Sequence, residues 1–415
     1  MTATPANLPR AALALVLAAS LIAGCAVLGP FSGPRPRPAT VIPASPPPPA
    51  PVPPAPVPSP AYPAPEVQTA PAPMAPPPSP ITQLPPTPAP IVEIPGTAET
   101  IYLVLPLESP RYGAAAAAVE AGFRAAATLA GSESRTRVIG HGDDGVLPAF
   151  AEAAAAGAEV AVGPLTRDDL RTVLSLALER PRMLALNQRE DGGVLPNEVY
   201  ALSLSVDSDA EVLARRAYAD GMRVLATVTS DTPLQRRFRN AFVAAWERAG
   251  GVTSRNYRFD ANPEVLSTLR RELAVRTPDT VLLAVDSGDA ALARSFLPPG
   301  PVYASSQIAD DLTGPMLRDL EGVRYVEIPW LAEPSSVIFA SLPHTGLGDP
   351  VLERLYALGL DAFAIAELLA HPVAPNRVEF EGATGHISLT PAHVFVREGR
   401  VMVIRGGQAV PYPAP

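Results

Sequence analysis

Eleven polar or aromatic side chains stand where predicted strands run out: Ser109, Tyr112, Thr166, Asn187, Gln188, Ser230, Asp231, Asp286, Ser306, Gln307 and Trp330. Hydroxyls, carboxamides, carboxylates and an indole at successive strand ends suit reversible binding of a small polar solute, because ligands of parallel sheets sit beyond the carboxyl ends of the strands. Bond-making chemistry is harder to assemble. Ser109, His141, Asp143 and Asp144 could be named, but no Gly-x-Ser-x-Gly turn occurs and the five His are scattered. No enzyme activity is expected. The loop His141-Gly-Asp-Asp-Gly145 lacks the alternating oxygens and closing glutamate of a calcium loop and reads as a solvated turn. The chain has no lysine, which removes Schiff-base, P-loop and Ser-x-x-Lys chemistry together. Its one cysteine, Cys25, permits no intrachain disulfide and no thiolate metal cage. No cofactor and no metal are expected, and a net charge of -9 argues against a nucleic-acid partner.

The elements that must position these residues are clearest from Glu159 to Gln188. Glu159 to Val162 is a short apolar strand halted by Gly163-Pro164. Thr166 can cap the helix that follows, Asp168 and Asp169 favour its positive end, and Leu170, Val173, Leu174, Ala177 and Leu178 recur at helical spacing. Met183 to Leu186 is a second strand, ending at Asn187-Gln188. Such a unit closes as a right-handed parallel crossover and places both loops at one edge.

The same alternation runs through the chain. Strands are expected at 100–107, 135–140, 223–229, 252–259, 280–285 and 301–304, with helices at 111–130, 263–275 and 287–296, while 198–204 and 322–328 lead into chain crossings. Asp207 or Ser208 can cap a helix ending near Gly221, Asp231 or Thr232 one led by Pro233, and Asp349 a long one carrying Leu352 to Leu369. Phe238, Phe242 and Trp246 repeat at helical spacing and read as core. From Val378 the chain reads as antiparallel strands, with Glu398-Gly399 at a bend. Chain crossings near Val206 and near Pro329-Trp330 divide it into a first lobe of 97–206 and 331–376 and a second of 207–330 and 377–410.

Residues 1–24 read as a signal peptide: Arg10 flanks an apolar core from Ala11 to Ile22 that is too short for a permanent span. Leu21-Ile-Ala-Gly-Cys25 resembles a bacterial lipobox, in which the cysteine takes the lipid and becomes the new N-terminus. Ala26 follows it, where lipoproteins kept in the inner membrane resemble one another in having Asp, so outer-membrane delivery is expected. Residues 25–96 are expected to be a disordered tether, for Pro30 to Pro95 holds 28 of the 53 prolines. Polyproline II at about 3.1 Å per residue would give it a reach of roughly 200 Å.

Two α/β lobes, each doubly wound and joined by crossover hinges, describe a type I periplasmic-binding-protein-like fold. The resemblance goes further. Leu103-Val-Leu-Pro-Leu107, Gly163-Pro-Leu165, Leu184-Ala-Leu-Asn-Gln188, Ile328-Pro-Trp330, Arg354-Leu-Tyr-Ala-Leu-Gly359 with Asp361-Ala362, and Gly382-Ala-Thr-Gly385 resemble the penicillin-binding-protein activators of the LppC/LpoA family, in that family's order. The resemblance implies an outer-membrane lipoprotein facing the periplasm, whose head stimulates a class A penicillin-binding protein, a bifunctional peptidoglycan synthase. The best-known members carry a helical-repeat domain before this module, and here the proline tether stands in its place.

A tethered solute sensor is the competing expectation, with the eleven strand-end residues lining its cleft. Against it, Pro110, Pro164 and Leu165 stand where a charged ligand would want converging donors. A cleft filled by Pro164, Leu165 and Trp330 would favour the activator, and a wet cavity with paired charges the sensor.

Overall fold

In the computed structural model the described residues are 100–175, 180–189, 192–310, 314–344, 346–371 and 378–413. Cys25, the signal peptide, the tether, Ala177 and Leu178 lie outside them. The first elements are β1 (Ile101–Leu105), α1 (Gly113–Leu129), β2 (Thr136–Gly140), α2 (Val146–Ala155), β3 (Val160–Val162), α3 (Arg167–Ser175), β4 (Arg182–Ala185) and β5 (Val199–Leu202). There follow α4 (Val206–Ala219), β6 (Val224–Thr229), α5 (Pro233–Arg248), β7 (Val252–Arg258), α6 (Pro263–Val275), β8 (Thr280–Ala284), α7 (Ser287–Ser295), β9 (Val302–Ala304), α8 (Gly314–Leu317) and β10 (Val323–Glu327). Next come α9 (Pro329–Ala332) and α10 (Pro350–Leu369), then β11 (Glu379–Glu381), β12 (His386–Leu389), β13 (Val394–Glu398), β14 (Arg400–Arg405) and β15 (Gln408–Pro411). The helix α2 is not anticipated by the sequence reading, because its alanine run carries Pro148 and little polar contrast.

Two sheets form. One has the order β11-β12-β13-β5-β4-β3-β1-β2, the other β15-β14-β10-β9-β8-β6-β7. The central strands are parallel and buried on both sides, which is why they read as unbroken apolar runs. On the first sheet, α1 and α10 cover one face and α2 and α3 the other. On the second, α6 and α7 cover one face and α4 and α5 the other, with Phe238, Phe242 and Trp246 fully buried.

Three local features position the cleft. Thr166 Oγ1 accepts from the Asp169 backbone N–H at 3.1 Å and donates to its carboxylate at 2.6 Å, which starts α3. Ser205, not Asp207 or Ser208, caps α4, because its Oγ lies within reach of the Asp207 N–H at 3.2 Å. Helices α1 and α10 cross at Gly122 and Gly359, where a Cβ would stand 1.9 Å from the Tyr356 carbonyl oxygen and 2.1 Å from that of Val119.

The C-terminal strands depart from expectation. The sequence pattern places 377–410 in the second lobe, with Val394 to Ile404 as antiparallel strands bending at Glu398-Gly399. Instead β13 pairs parallel to β5, Val394 opposite Ala201, and carries β11 and β12 into the first sheet. β14 alone pairs antiparallel with β10 in the second sheet. The bend at Gly399 is therefore a third crossing between lobes. Glycine is required there because a Cβ would sit 2.6 Å from Val326 Cγ1 and 2.8 Å from the Glu327 carbonyl oxygen.

Candidate functional site

The three crossings converge beside the N-terminal half of α10, and arginines tie the lobes there. Arg354 of α10 binds Glu327 at the end of β10 at 2.6 Å and Asp310 at 2.7 Å. These side chains are only 10–13% exposed. Burial would lower the guanidinium pKa, but the bonds to Glu327 and Asp310 outweigh it and hold Arg354 above the usual arginine range. Arg397 of β13, 3% exposed, binds Asp209 of α4 at 3.0 Å and donates to the carbonyls of Ser203 and Thr384 at 3.3 Å. Arg400 joins Glu381 at 3.0 Å and Glu333 at 3.1 Å across the third crossing.

Behind these ties Asp361 locks α10 to the β11–β12 turn. Its carboxylate accepts from the N–H groups of Ala383 and Thr384, both at 2.7 Å, and from the Thr384 hydroxyl at 2.6 Å. Full burial pushes its pKa up to about 6, against those donors and nearby Arg397. The Trp330 backbone N–H donates to the Ala383 carbonyl at 3.1 Å. Thus Arg354, Gly359, Asp361, Trp330 and the Gly382–Gly385 turn, distant in sequence, build one junction.

The structure distributes the eleven strand-end residues among several places. Tyr112, Thr166 and Asn187 line one cavity of about 390 Å³ with Leu165, Arg167 and Leu355. Asn187 also lines a neighbouring cavity of about 280 Å³ with Arg237, Ser203 and Ser205. Ser306 and Gln307 border a third, of about 220 Å³, beside Glu327, Arg354 and Arg397. Arg237 is held by Asp207 at the cleft wall.

Most of their polar atoms already have work. Asn187 Nδ2 donates to the Leu165 carbonyl at 3.0 Å, while its Oδ1 accepts from Arg167 at 3.2 Å and from the Gln188 N–H at 3.0 Å. Ser109 is buried and accepts from the N–H groups of Arg111 and Tyr112. Ser230 faces the Thr232 hydroxyl at 3.3 Å, and Asp231 pairs with Arg258 at 2.6 Å. Asp286 and Gln307 each accept from buried Gln235 at 3.4 Å.

Trp330 is not a cleft residue. It is 2% exposed in an apolar cluster with Phe339 and Tyr356, stacks on His344 at 4.5 Å and donates from Nε1 to Glu353 at 2.9 Å. The helix α9 turns its ring inward, away from the strand-end loops. Sequence reasoning passed over Arg354, Glu327, Asp310, Arg397 and Asp209 as site residues. Arg354 and Asp361 did stand inside the runs that carried the family resemblance, and that was the available signal.

The sequence matches the family described as "LppC putative lipoprotein" over residues 93–400. It is 28% identical over 309 residues to a penicillin-binding protein activator LpoA of Edwardsiella piscicida, covering 64% of this chain and 44% of that protein. The chain thus spans less than half the length of such relatives. Among solved structures, the fold is similar to the LpoA C-domain of Haemophilus influenzae, described as a regulator of PBP1A, with TM-score 0.66 and 22% identity, over 76% of this chain and 100% of that one. A Chromobacterium violaceum protein described as a "putative branched-chain amino acid ABC transporter" is similar with TM-score 0.65 and 32% identity, over 73% and 99%. Two lobes with parallel-rich sheets are common to these neighbours, and by its match over most of its length this chain belongs to the LppC lipoprotein family.

Proposed function

We propose that the protein is an outer-membrane lipoprotein, anchored through Cys25 and carried on its proline-rich tether, whose two-lobed head activates a class A penicillin-binding protein. One observation carries the reading: three of the runs that mark the family, Ile328 to Trp330, Arg354 to Gly359 with Asp361, and Gly382 to Gly385, meet at the interlobe junction, where buried Arg354 and Arg397 tie the lobes together. A solute receptor needs lobes that part and close around a ligand. A head that acts by binding a synthase needs a fixed surface, and it activates by binding the synthase's active state more tightly than its resting state. Among the described residues no helix is long and apolar enough to cross a membrane.

The sensor reading keeps specific support: Trp330 does not fill the cleft, and the cavity of about 220 Å³ is lined by the paired charges Arg354–Glu327 and Arg397–Asp209. Ser203 Oγ is buried, has no hydrogen-bond partner and belongs to a residue lining the 280 Å³ cavity.

The test is glycan polymerisation by the host's purified class A synthases, with and without the full chain in detergent, beside a binding titration. Stimulation of one synthase by about fivefold or more, equivalent to roughly 1 kcal/mol of coupling, is expected. No binding and no stimulation of any of them would remove the activator reading and leave the cleft to be titrated with small solutes.

A further inference from the structure

The first lobe has an apolar groove on the side opposite the strand-end loops. It encloses about 430 Å³ between the end of α1, the 338–342 segment, α10 and the edge strand β11. That volume falls in the roughly 300–1,000 Å³ range of ligand-sized pockets. Phe339, Phe363 and Phe380 are among the residues lining it. Leu129 and Ile338 stand at its mouth, 57% and 54% exposed, beside Val337 at 88%. Exposed aliphatic side chains gathered at the mouth of an apolar groove, rather than scattered singly, mark an interaction site.

Charge selects the occupant. The lining contains the carboxylates of Asp361, Glu367 and Glu381 and no Arg or His. Asp361 is consumed by the Thr384 turn, but Glu367 and Glu381 lie at the rim, and Glu379 adjoins them on β11. Arg135, Arg400 and His386 reach these acids from outside the groove. The surplus is wider than the rim. Residues 100–206 and 331–398 hold 12 Arg against 21 Asp and Glu, whereas 207–330 and 399–413 hold 17 of each. All of the chain's net negative charge therefore sits on the lobe that carries the groove.

That asymmetry disfavours two local occupants. The chain's own aliphatic run Ile91-Val-Glu-Ile94 brings Glu93 and Glu99 to an acidic lobe. A symmetric pair of heads would bring two such lobes together. We infer that the groove is the docking site for an apolar segment of the synthase flanked by Lys or Arg. This rests on the activator reading and names its contact surface. The apolar anchors fill the groove, and the flanking cations face Glu367, Glu379 and Glu381 and are drawn in by the field of the lobe.

The test uses the full chain in detergent and the purified class A synthase. Leu129→Ser with Ile338→Ser removes two exposed anchors without adding charge. The affinity should fall at least tenfold, with unfolding unchanged, and Val275→Ser on α6 of the other lobe should bind within twofold of wild type. Raising salt should weaken the wild-type complex. Val337→Ser, at the most exposed of the three positions, serves if the double variant is unstable. Wild-type affinity in the variants, with stimulation intact, overturns the groove and spares the activator reading, while failure of the wild type to bind any class A synthase overturns both. A complex indifferent to salt overturns the cationic partner. Protection of residues 91–95 from hydrogen exchange that the substitutions abolish, or a dimer they dissolve, assigns the groove to the chain itself and overturns the proposal.

Discussion

The interlobe junction and the strand-end loops of the second lobe are built from the same residue types, yet they treat their charges differently. At the junction Arg354, Glu327 and Asp310 are all close to 10% exposed and bonded across lobes. At the loop after β6, Asp231 and Arg258 form an equally short pair with both side chains more than half in water. Coulomb attraction in a desolvated site is several times that in solvent, and loss of one partner there strands an uncompensated charge. The difference says where a change will be felt, and it orders three experiments.

Arg354→Ala should have the largest effect. It leaves Glu327 and Asp310 buried without their cation, and the loss is expected at about 3–5 kcal/mol in denaturant unfolding. Replacing all three by apolar residues of similar size should recover much of it, because burying the ions is itself costly. If Arg354→Ala costs less than 1 kcal/mol, the lobes are not held by this tie and the contrast with the outer loops fails.

Asp361 sharpens the comparison through pH. Its folded pKa of about 6 lies above the ordinary 3.8, so the folded state binds the proton more tightly than the unfolded chain does. The stability it contributes is therefore fully present below about pH 3.8 and is lost as pH rises through 6. The shift corresponds to about 3 kcal/mol. Asp361→Asn cannot titrate and cannot accept at both oxygens from Ala383, Thr384 N and the Thr384 hydroxyl, so it should be less stable throughout. The gap between wild type and variant should narrow between pH 4 and 7. A gap that widens over that range would mean that the donors and Arg397, rather than burial, set the carboxylate's proton affinity.

How much of this could be read in the chain follows from the range of each interaction. The alternation of strands and helices was legible because it depends on neighbours within one turn or one strand: Thr166 and Asp349 cap as their spacing predicts. The junction was not. Asp361 meets Thr384 across 23 residues and Arg397 meets Asp209 across 188, and no local pattern encodes either pairing. The same holds for Gly399. A glycine between two β-rich runs signals a hairpin, and only the positions of β5 and β10 turn it into a crossing. Trp330 misled for a related reason, since its place after a strand suggested a loop ring while Phe339, His344 and Glu353, remote in sequence, draw it into the core. The eleven strand-end residues do gather at the cleft in part, but their polar atoms serve the loops themselves, which residue type alone does not reveal.

The smallest effect is expected from Asp231→Ala. The Asp231–Arg258 contact is short, 2.6 Å, but the two side chains are 59% and 76% exposed. Water and salt screen such a pair, and holding two long side chains in one geometry costs entropy, so its loss should change unfolding by less than about 0.5 kcal/mol. Asp231 also lies outside the lining of each cavity described above. Synthase binding should therefore be unaffected, in contrast to the aliphatics at Leu129 and Ile338, which are also more than half exposed. Two sets of exposed residues then differ in binding while agreeing in stability. Should Asp231→Ala weaken the complex as much as the Leu129 and Ile338 substitutions do, the docking surface would extend onto the second lobe, and the acidic first lobe would lose its claim to select the partner.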